Sequence, residues 1–261
     1  MVDFSLILQQ LTLSTHFTIL KSIFVKEIRG FLSSLIAIIV IAVFLIATGL
    51  FIWIFPEYNV FDNKYANLDS LFEIAPWVFI FLISAITMRS FSEEKKSGTI
   101  ELLTTKPVSD LQIILAKYFA SLVLVLFSLI PTILYYITIY KLATPEGNVD
   151  NGGIMGSYIG LFFLGAVFAA IGIFASVVTD NQIVSFILSM FLCFFFYQAF
   201  SLLADFNLFG KFDVLIEWLS INTHYQSISR GVVDTRDLLY FTSVITIFIW
   251  GTKTIFSSRK W

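Results

Sequence analysis

Long runs of apolar residues without charge recur along the chain, and short segments between them hold most of the charged residues. A helix needs about 20 apolar residues to cross a bilayer, and a charge at its centre costs about 2.5–3.5 kcal/mol. The pattern therefore predicts an all-α membrane protein with six transmembrane helices. The predicted spans cover about residues 31–55, 71–91, 115–140, 155–179, 182–204 and 237–256. Residues 17–261 form one predicted transmembrane domain, and the role of residues 1–16 is uncertain.

The segment before the first span has an amphipathic pattern. Its apolar positions follow a helical stripe at Phe17, Leu20, Phe24 and Ile28, and its polar positions lie opposite, at Ser22, Lys26 and Arg29. Such a helix can lie in the membrane interface. We predict an interfacial helix here; the alternative is a helical extension of the first span.

The segment between the fifth and sixth spans is long for a loop. Residues 205–237 contain apolar residues at helical spacing, mixed with Asp213 and Glu217. This pattern predicts short outer helices that do not cross the membrane; the alternative is a solvated loop.

Small residues recur along the fourth span at intervals that place them on one helix face. Gly156 and Gly160 are four residues apart, and Gly165 and Gly172 each begin a further pair of small residues. Small side chains let helix backbones approach closely. The pattern predicts a packing face, either against helices of this chain or against a second copy.

Pro131 in the third span predicts a kink, because proline removes a helix hydrogen bond.

Composition agrees with a membrane protein and argues against metal chemistry. Hydrophobic residues make up 58% of the chain and charged residues only 13%, whereas about 25% is usual for soluble domains. The single cysteine, Cys193, lies in an apolar run, and the two histidines are far apart in sequence. We therefore predict no disulfide and no metal site. The first residues lack the basic and apolar regions of a cleavable signal peptide.

The basic residues are distributed unequally between the two predicted sides of the membrane. Eleven lie on the side of both termini: Lys21, Lys26, Arg29, Arg89, Lys95, Lys96, Lys106, Lys117, Lys253, Arg259 and Lys260. Five lie on the other side: Lys64, Lys141, Lys211, Arg230 and Arg236. Since basic residues favour the cytoplasmic side, both termini are predicted to be cytoplasmic.

Sequence motifs for catalysis are missing. The chain has no glycine-rich phosphate loop ending in Lys and Ser or Thr, no zinc-protease motif and no serine-hydrolase motif. No ionisable residue lies centrally in a predicted span, which argues against an ion-coupled carrier. We predict that the chain is not an enzyme and binds no cofactor, and that energy for any movement comes from another subunit.

The segment between the second and third spans is dense in charge and is interrupted at Gly98. A short helix can begin at Thr99 and continue through Leu103, and Pro107 would end it. Ser109 and Gln112 have the spacing of a capping box for the next helix. We predict a short helix held across the cytoplasmic face; the alternative is a solvated loop.

This segment, from Glu93 to Ser109, resembles the signature segment of type-2 ABC exporter permeases. Within that family, Glu73–Trp77, Met88–Phe91, Ser176–Gln182 and Ser227–Asp237 are similar to the GldF permeases of the gliding-motility ABC system. The resemblance implies that the short helix is a coupling helix that docks on an ATPase. The matching positions are Glu93, Glu94, Gly98, Thr99, Glu101, Leu102, Leu103 and Pro107. For Arg230, Asp234, Arg236 and Asp237, which match the outer segment, we predict a structural role in ion pairs.

The resemblance also implies partners and a location. An ATPase subunit similar to GldA would bind the ATP and Mg, and a companion similar to GldG would supply a periplasmic domain. The location would be a bacterial inner membrane, and the second membrane half would be another copy of this chain or the companion. Two other hypotheses remain open. The chain could be an anchor for a periplasmic machine that transports nothing, or an integral membrane enzyme using the 224–237 stretch.

Overall fold

The computed structural model describes residues 20–56, 58–63, 65–101, 108–206, 210, 213–232 and 234–258. Within these residues the chain forms helices and no strand, and six helices are long and apolar enough to cross a membrane. The predicted all-α membrane fold with six spanning helices is therefore confirmed.

The first half of the described chain contains helices α1 (20–32), α2 (Leu35–Trp53), α3 (Val60–Asn63), α4 (Asp69–Thr87) and α5 (Ser92–Lys96). Next come α6 (Asp110–Leu129) and α7 (Ile133–Leu142), which are joined by the 3₁₀ turn Ile130–Thr132. The second half contains α8 (Asn151–Val178), α9 (Gln182–Phe194), a π-helical turn (Phe195–Ala199), α10 (Phe200–Asp205), α11 (Asp213–Trp218), α12 (Ile221–Ser229) and α13 (Thr235–Ser258).

The candidate spans are α2, Asp69–Lys96, Asp110–Leu142, α8, Gln182–Asp205 and α13. Each predicted span overlaps one of them. The second and third extend beyond the predicted ends, because α5 continues α4 and because α6 begins at its cap, Ser109. The predicted short outer helices between the last two spans correspond to α11 and α12.

Polar side chains define where three of the long helices begin. The Ser109 hydroxyl accepts a hydrogen bond from the Gln112 amide, and the Gln112 side chain accepts one from the Ser109 amide. The predicted capping box is therefore confirmed. Asp150 caps α8 by accepting from the Gly153 amide at 3.0 Å, and Asn181 caps α9. These side chains satisfy amide groups that have no partner within the helix.

Helix α8 is the central helix of the bundle and contacts α4, α6, α9, α12 and α13. Its two ends define the two ends of the molecule. The C-terminal end of α8 lies near α5, and we call this the α5 end of the bundle. The N-terminal end of α8 packs against α12, and we call this the α12 end.

The α8 glycines pack against elements of the same chain. A Cβ atom at Gly156 would lie 2.7 Å from the Gly231 Cα and 2.7 Å from the Ile228 carbonyl oxygen. A Cβ atom at Gly160 would lie 3.3 Å from the Tyr225 ring. Glycine at these positions lets α12 approach the α8 backbone. In the structure, these contacts are packing within one chain.

The other two glycines on α8 face the core of the bundle. A Cβ atom at Gly165 would lie 2.7 Å from the Val125 side chain on α6. At Gly172 it would lie 2.0 Å from the Thr87 hydroxyl oxygen at the end of α4. These contacts are also within the chain, so the structure places all four glycines in internal packing.

Two spans depart from regular α-helical geometry. The third contains the 3₁₀ turn with Pro131, at the position where the sequence predicts a kink. The fifth contains the π-helical turn Phe195–Ala199, which no proline or glycine marks in the sequence. Single π turns inside α-helices occur frequently at functional sites. This one lies at the α12 end, beside a cavity described below.

Candidate functional site

The segment with the ATPase-coupling prediction begins with helix α5 and a sharp turn. Gly98 has φ +70°, a conformation that residues with a Cβ atom rarely adopt, and no atom lies within 4 Å of where its Cβ would be. Ile100 and Glu101 are helical, which places the start of the next helix within a residue of Thr99. The predicted positions Leu102, Leu103 and Pro107 lie outside the described residues.

Helix α5 is fastened to the end of α8. The Ser176 hydroxyl on α8 accepts hydrogen bonds from the Phe91 and Ser92 amides, at 2.9 and 3.1 Å. The Lys95 ammonium group donates to the Val177 carbonyl oxygen. Helix α5 begins where α4 ends, and these bonds satisfy the amides exposed at that junction. The position of α5 is therefore coupled to that of the central helix.

A cluster of four charged side chains joins α5 to two further helices. We call Lys26, Glu27, Glu94 and Lys117 the ion cluster. The Lys117 ammonium group, on α6, lies 2.8 Å from a Glu27 oxygen and 3.0 Å from a Glu94 oxygen. The Lys26 ammonium group, on α1, lies 2.5 Å from the other Glu94 oxygen. Glu94 thus connects α5 to both α1 and α6.

Lys117 is the most deeply buried member of the ion cluster, with a side chain only 1% exposed. It also donates a hydrogen bond to the Ser90 carbonyl oxygen at 2.6 Å, and its ammonium group lies 5.0 Å from the centre of the Phe91 ring. A buried charge is costly unless it is paired and hydrogen-bonded. Two carboxylates and two ammonium groups make the ion cluster electrically neutral, which meets this requirement.

The cluster shifts the pKa values of its two members on α1. Burial alone would raise the pKa of Glu27, but the Lys117 and Lys26 ammonium groups outweigh it and hold this pKa below its ordinary value. Burial alone would lower the pKa of Lys26, but Glu27 and Glu94 hold it above its ordinary value. Both shifts favour the charged forms.

The lowered pKa of Glu27 predicts a dependence of stability on acid. A carboxylate with a lowered pKa stabilises the fold at pH values above its ordinary pKa, which is 4.5 here. This stabilisation is lost as the pH falls through the lower pKa of the folded state. We expect the unfolding temperature of the detergent-purified chain, measured by tryptophan fluorescence, to decrease as the pH is lowered below 4.5. A Glu27→Gln variant should show a smaller fall. Equal pH profiles for the two proteins would contradict the prediction.

The two neighbouring carboxylates on α5 have different environments. Glu94 is buried in the ion cluster, so its carboxylate faces the interior. Glu93 is half-exposed and lies 3.1 Å from Arg89 in an ion pair one helical turn apart. Thr99 and Glu101 are exposed. The segment therefore exposes Glu93, Thr99 and Glu101, whereas Glu94 links helices of this chain.

Sequence reasoning missed Lys117 and Glu27 as members of the site. In the sequence, Lys117 stands out only as a positive charge near the predicted membrane surface. A signal was present, because Lys117 lies in α6 among the buried residues Ile113, Ile114, Ala116 and Tyr118. A lysine on an apolar helix face needs a buried partner. The sequence does not identify that partner, because Glu27 is 90 residues away.

The outer segment contains an ion pair that includes a histidine. The Asp237 carboxylate lies 2.7 Å from Nδ1 of His224, and Nε2 of His224 lies 2.8 Å from the Trp218 carbonyl oxygen. Asp234 accepts a hydrogen bond from the Arg236 amide at 2.9 Å. Among the residues that the structure describes, neither the Arg236 nor the Arg230 side chain forms an ion pair. The predicted pairing therefore has a counterpart only at Asp237.

Ion pairs and hydrogen bonds between helices hold the α5 end together. Within the described ranges, no three His, Cys, Asp or Glu side chains lie close enough together to hold a metal ion. A groove of about 400 Å³ separates α1 from α5, and its lining includes Lys26, Arg89, Glu93 and Thr99. The exposed side chains of α5 and the turn after it border this groove.

The six spanning helices and the charged segment between the second and third define a multi-pass membrane subunit. The family model described as ABC-2 family transporter protein matches residues 54–229, which is more than half of the chain. The chain therefore belongs to the ABC-2 transporter family and is a transmembrane permease subunit of an ABC transporter. In this family the ATPase is a separate partner. A comparison with curated proteins finds no match.

Proposed function

We propose that a separate ABC ATPase drives this permease subunit through α5 and the residues that follow Gly98. The arrangement of α5 is the observation that supports this function. Its interior side is bonded to α1, α6 and α8, while Glu93, Thr99 and Glu101 remain accessible. A segment that is exposed on one side and bonded to three helices on the other can transmit a displacement.

The bonds that hold α5 are suited to rigid-body motion. Packed cores change between discrete arrangements and do not deform continuously. Because Glu94 bonds to Lys26 and Lys117, a push on α5 displaces α1 and the beginning of α6 together with it. The Ser176 hydroxyl extends the same displacement to α8. ATP hydrolysis in the partner would thereby change the packing of the spans.

The proposal extends to a place in the cell and to particular partners. The excess of basic residues at the α5 end supports a cytoplasmic location for that end and for both termini. The likeness of Glu73–Trp77 and Ser227–Asp237 to the GldF permeases supports a role in gliding motility, in a bacterial inner membrane. The partners would then be an ATPase similar to GldA, which binds ATP and Mg, and a companion similar to GldG.

A second candidate function is a membrane anchor that moves no substrate. It is favoured by the spans themselves, because the buried Asp, Glu, Lys and His side chains within the described ranges lie towards the two ends of the bundle. Reconstituted vesicles containing the subunits, assayed for lipid or amphiphile movement with and without ATP, distinguish the two functions. Movement that depends on ATP supports an exporter, and ATP hydrolysis without movement supports an anchor.

Co-purification of the ATPase tests the coupling proposal. We expect the double variant Glu101→Lys/Leu102→Asp to lose most of the ATPase that the wild-type chain retains in mild detergent, because it reverses a charge and inserts another at the proposed contact. The control is Glu217→Lys, which reverses an exposed carboxylate on α11 at the other end of the bundle. This control should retain the ATPase. An intact double variant that also retains it would argue against docking at this segment.

A further inference from the structure

A cavity of about 780 Å³ lies at the α12 end of the bundle, opposite the coupling segment. Residues from the start of α4, the start of α8, the π-helical turn and α12 line it. Its volume is within the range of small-molecule sites, which is roughly 300–1,000 Å³. None of the bonds that fasten α5 involves this cavity.

The charged residues lining the cavity are mainly acidic. They are Asp69, Glu73, Asp150 and Arg230. Asp69 accepts a hydrogen bond from the Asn67 side chain, and Asp150 caps α8. Among the described residues, Glu73 has no hydrogen-bond or ion-pair partner. Its carboxylate is therefore available to a ligand, and its charge favours a cation.

Aromatic rings form the wall next to Glu73. Trp77 lies one helical turn further along α4, and its ring meets the Tyr197 ring edge to face at 5.6 Å. Tyr197 is only 4% exposed, and within the described part of the chain its hydroxyl has no hydrogen-bond partner. The π-helical turn places Tyr197 and Gln198 on this wall together. The wall thus combines aromatic rings, the Gln198 amide and the Tyr197 hydroxyl, which has no hydrogen-bond partner among the described residues.

We propose that this cavity binds an organic ammonium group. Aromatic faces attract cations, and a carboxylate beside them compensates the charge. Glu73, Trp77 and Tyr197 supply these two elements within one turn of α4 and one turn of the fifth span. A zwitterionic lipid headgroup satisfies the site as well as a free amine does, since Arg230 lines the same cavity and can pair with a phosphate. An anion without an ammonium group would be repelled by the acidic residues.

The site does not depend on the proposed coupling function, so its test uses the permease chain alone. The whole chain is reconstituted in nanodiscs of phosphatidylglycerol, and binding of choline, of glycerophosphoethanolamine and of glycerol 3-phosphate is measured by calorimetry. We expect the wild-type chain to bind choline and glycerophosphoethanolamine, which both carry an ammonium group, and not the glycerol phosphate. The affinity should fall about tenfold in Glu73→Gln and about fivefold in Trp77→Leu.

A matched control separates a binding effect from a folding effect. Glu217→Gln removes an exposed carboxylate on α11, outside the cavity, and should bind like the wild-type chain. Glu73 and Trp77 are exposed, so their replacement should leave the fold intact. The unfolding temperatures of all variants, measured in parallel, check this. If Glu73→Gln binds the two ammonium-bearing probes as tightly as Glu217→Gln does, the proposal is overturned.

A second arm of the test distinguishes a lipid from a soluble amine. Native mass spectrometry of the chain from mixed vesicles measures retention of phosphatidylethanolamine against phosphatidylglycerol. If the chain retains phosphatidylethanolamine and this retention requires Glu73, the site exists and its ligand is a lipid. If the chain binds choline but retains no phosphatidylethanolamine, the site exists and its ligand is a soluble amine. Binding of neither, or equal binding of glycerol phosphate, would show that the cavity is not an ammonium site.

Discussion

Replacing Lys117 with methionine is expected to destabilise the purified chain by about 3–5 kcal/mol, because it removes one partner of a buried ion pair. Glu27 and Glu94 would lose the ammonium group that lies 2.8 and 3.0 Å from their oxygens. Cys193 provides the measurement, since it is the single cysteine of the chain and is buried. A thiol-reactive dye that fluoresces on reaction follows unfolding of the detergent-purified protein, and Lys117→Met should react at a clearly lower temperature.

The other lysine of the ion cluster serves as the control. The Lys26 side chain is 59% exposed, so Lys26→Met should cost less than about 1 kcal/mol. A double variant, Lys117→Met/Glu27→Gln, should recover part of the loss, because without Lys117 the cluster has one carboxylate in excess and the second change removes it. If Lys117→Met and Lys26→Met unfold at the same temperature, the ion cluster does not have the energetic role inferred from its burial.

Replacing Gly172 with alanine is the second change for which we expect a large effect. The new methyl group would lie 2.0 Å from the Thr87 hydroxyl oxygen, 2.8 Å from the Thr87 Cβ and 3.1 Å from the Ser189 hydroxyl oxygen. These atoms belong to a tightly packed crossing of α4, α8 and α9. Overpacking a core costs about 1–3 kcal/mol, and more where backbones must separate. We expect a lower unfolding temperature by the Cys193 assay and weaker retention of the ATPase.

An alanine elsewhere in the chain shows whether the effect comes from packing. Gly30 is helical, and no atom lies within 4 Å of the position of its Cβ, so Gly30→Ala should leave stability unchanged or raise it by about 0.5–1 kcal/mol. Adding Thr87→Ala to Gly172→Ala removes the nearest clashing atom and should restore part of the stability. Equal stability of Gly172→Ala and Gly30→Ala would exclude the proposed clash.

Much of the fold could be predicted because a bilayer imposes simple rules on sequence. Charge-free runs identify the spans, since each charge in the apolar core is costly. The capping box of Ser109 and Gln112 could also be predicted, because its two residues are close in sequence. The π-helical turn Phe195–Ala199 could not, because it contains no proline or glycine that would mark it in the sequence.

The candidate site was only partly predictable, for a geometric reason. Glu93 and Glu94 are adjacent in the sequence, so they point about 100° apart around a helix. A motif treats the two alike, whereas the fold exposes Glu93 and buries Glu94. The partners of Glu94 come from α1 and α6, and no pattern within one segment indicates how three helices align. The ion pairs between segments that are distant in sequence are therefore seen only in the structure.

His224 illustrates the same limit at the other end of the bundle. In the sequence, its distance from the other histidine argues against a metal site, and it begins the 224–237 stretch considered for a membrane enzyme. In the structure it is buried, paired with Asp237 and stacked on the Tyr240 ring at 3.8 Å. The sequence predicts a structural role for Asp237, but it does not indicate that the partner is His224 on α12.

The neutrality of the ion cluster restricts how the α5 end can rearrange. Separating its carboxylates from its ammonium groups would leave buried charges without partners, which is far more costly than moving all four side chains together. We therefore expect helices α1 and α5 and the first turns of α6 to move together as one rigid unit if the permease changes conformation. Any relative movement of the helices must then occur at contacts that lack these ion pairs.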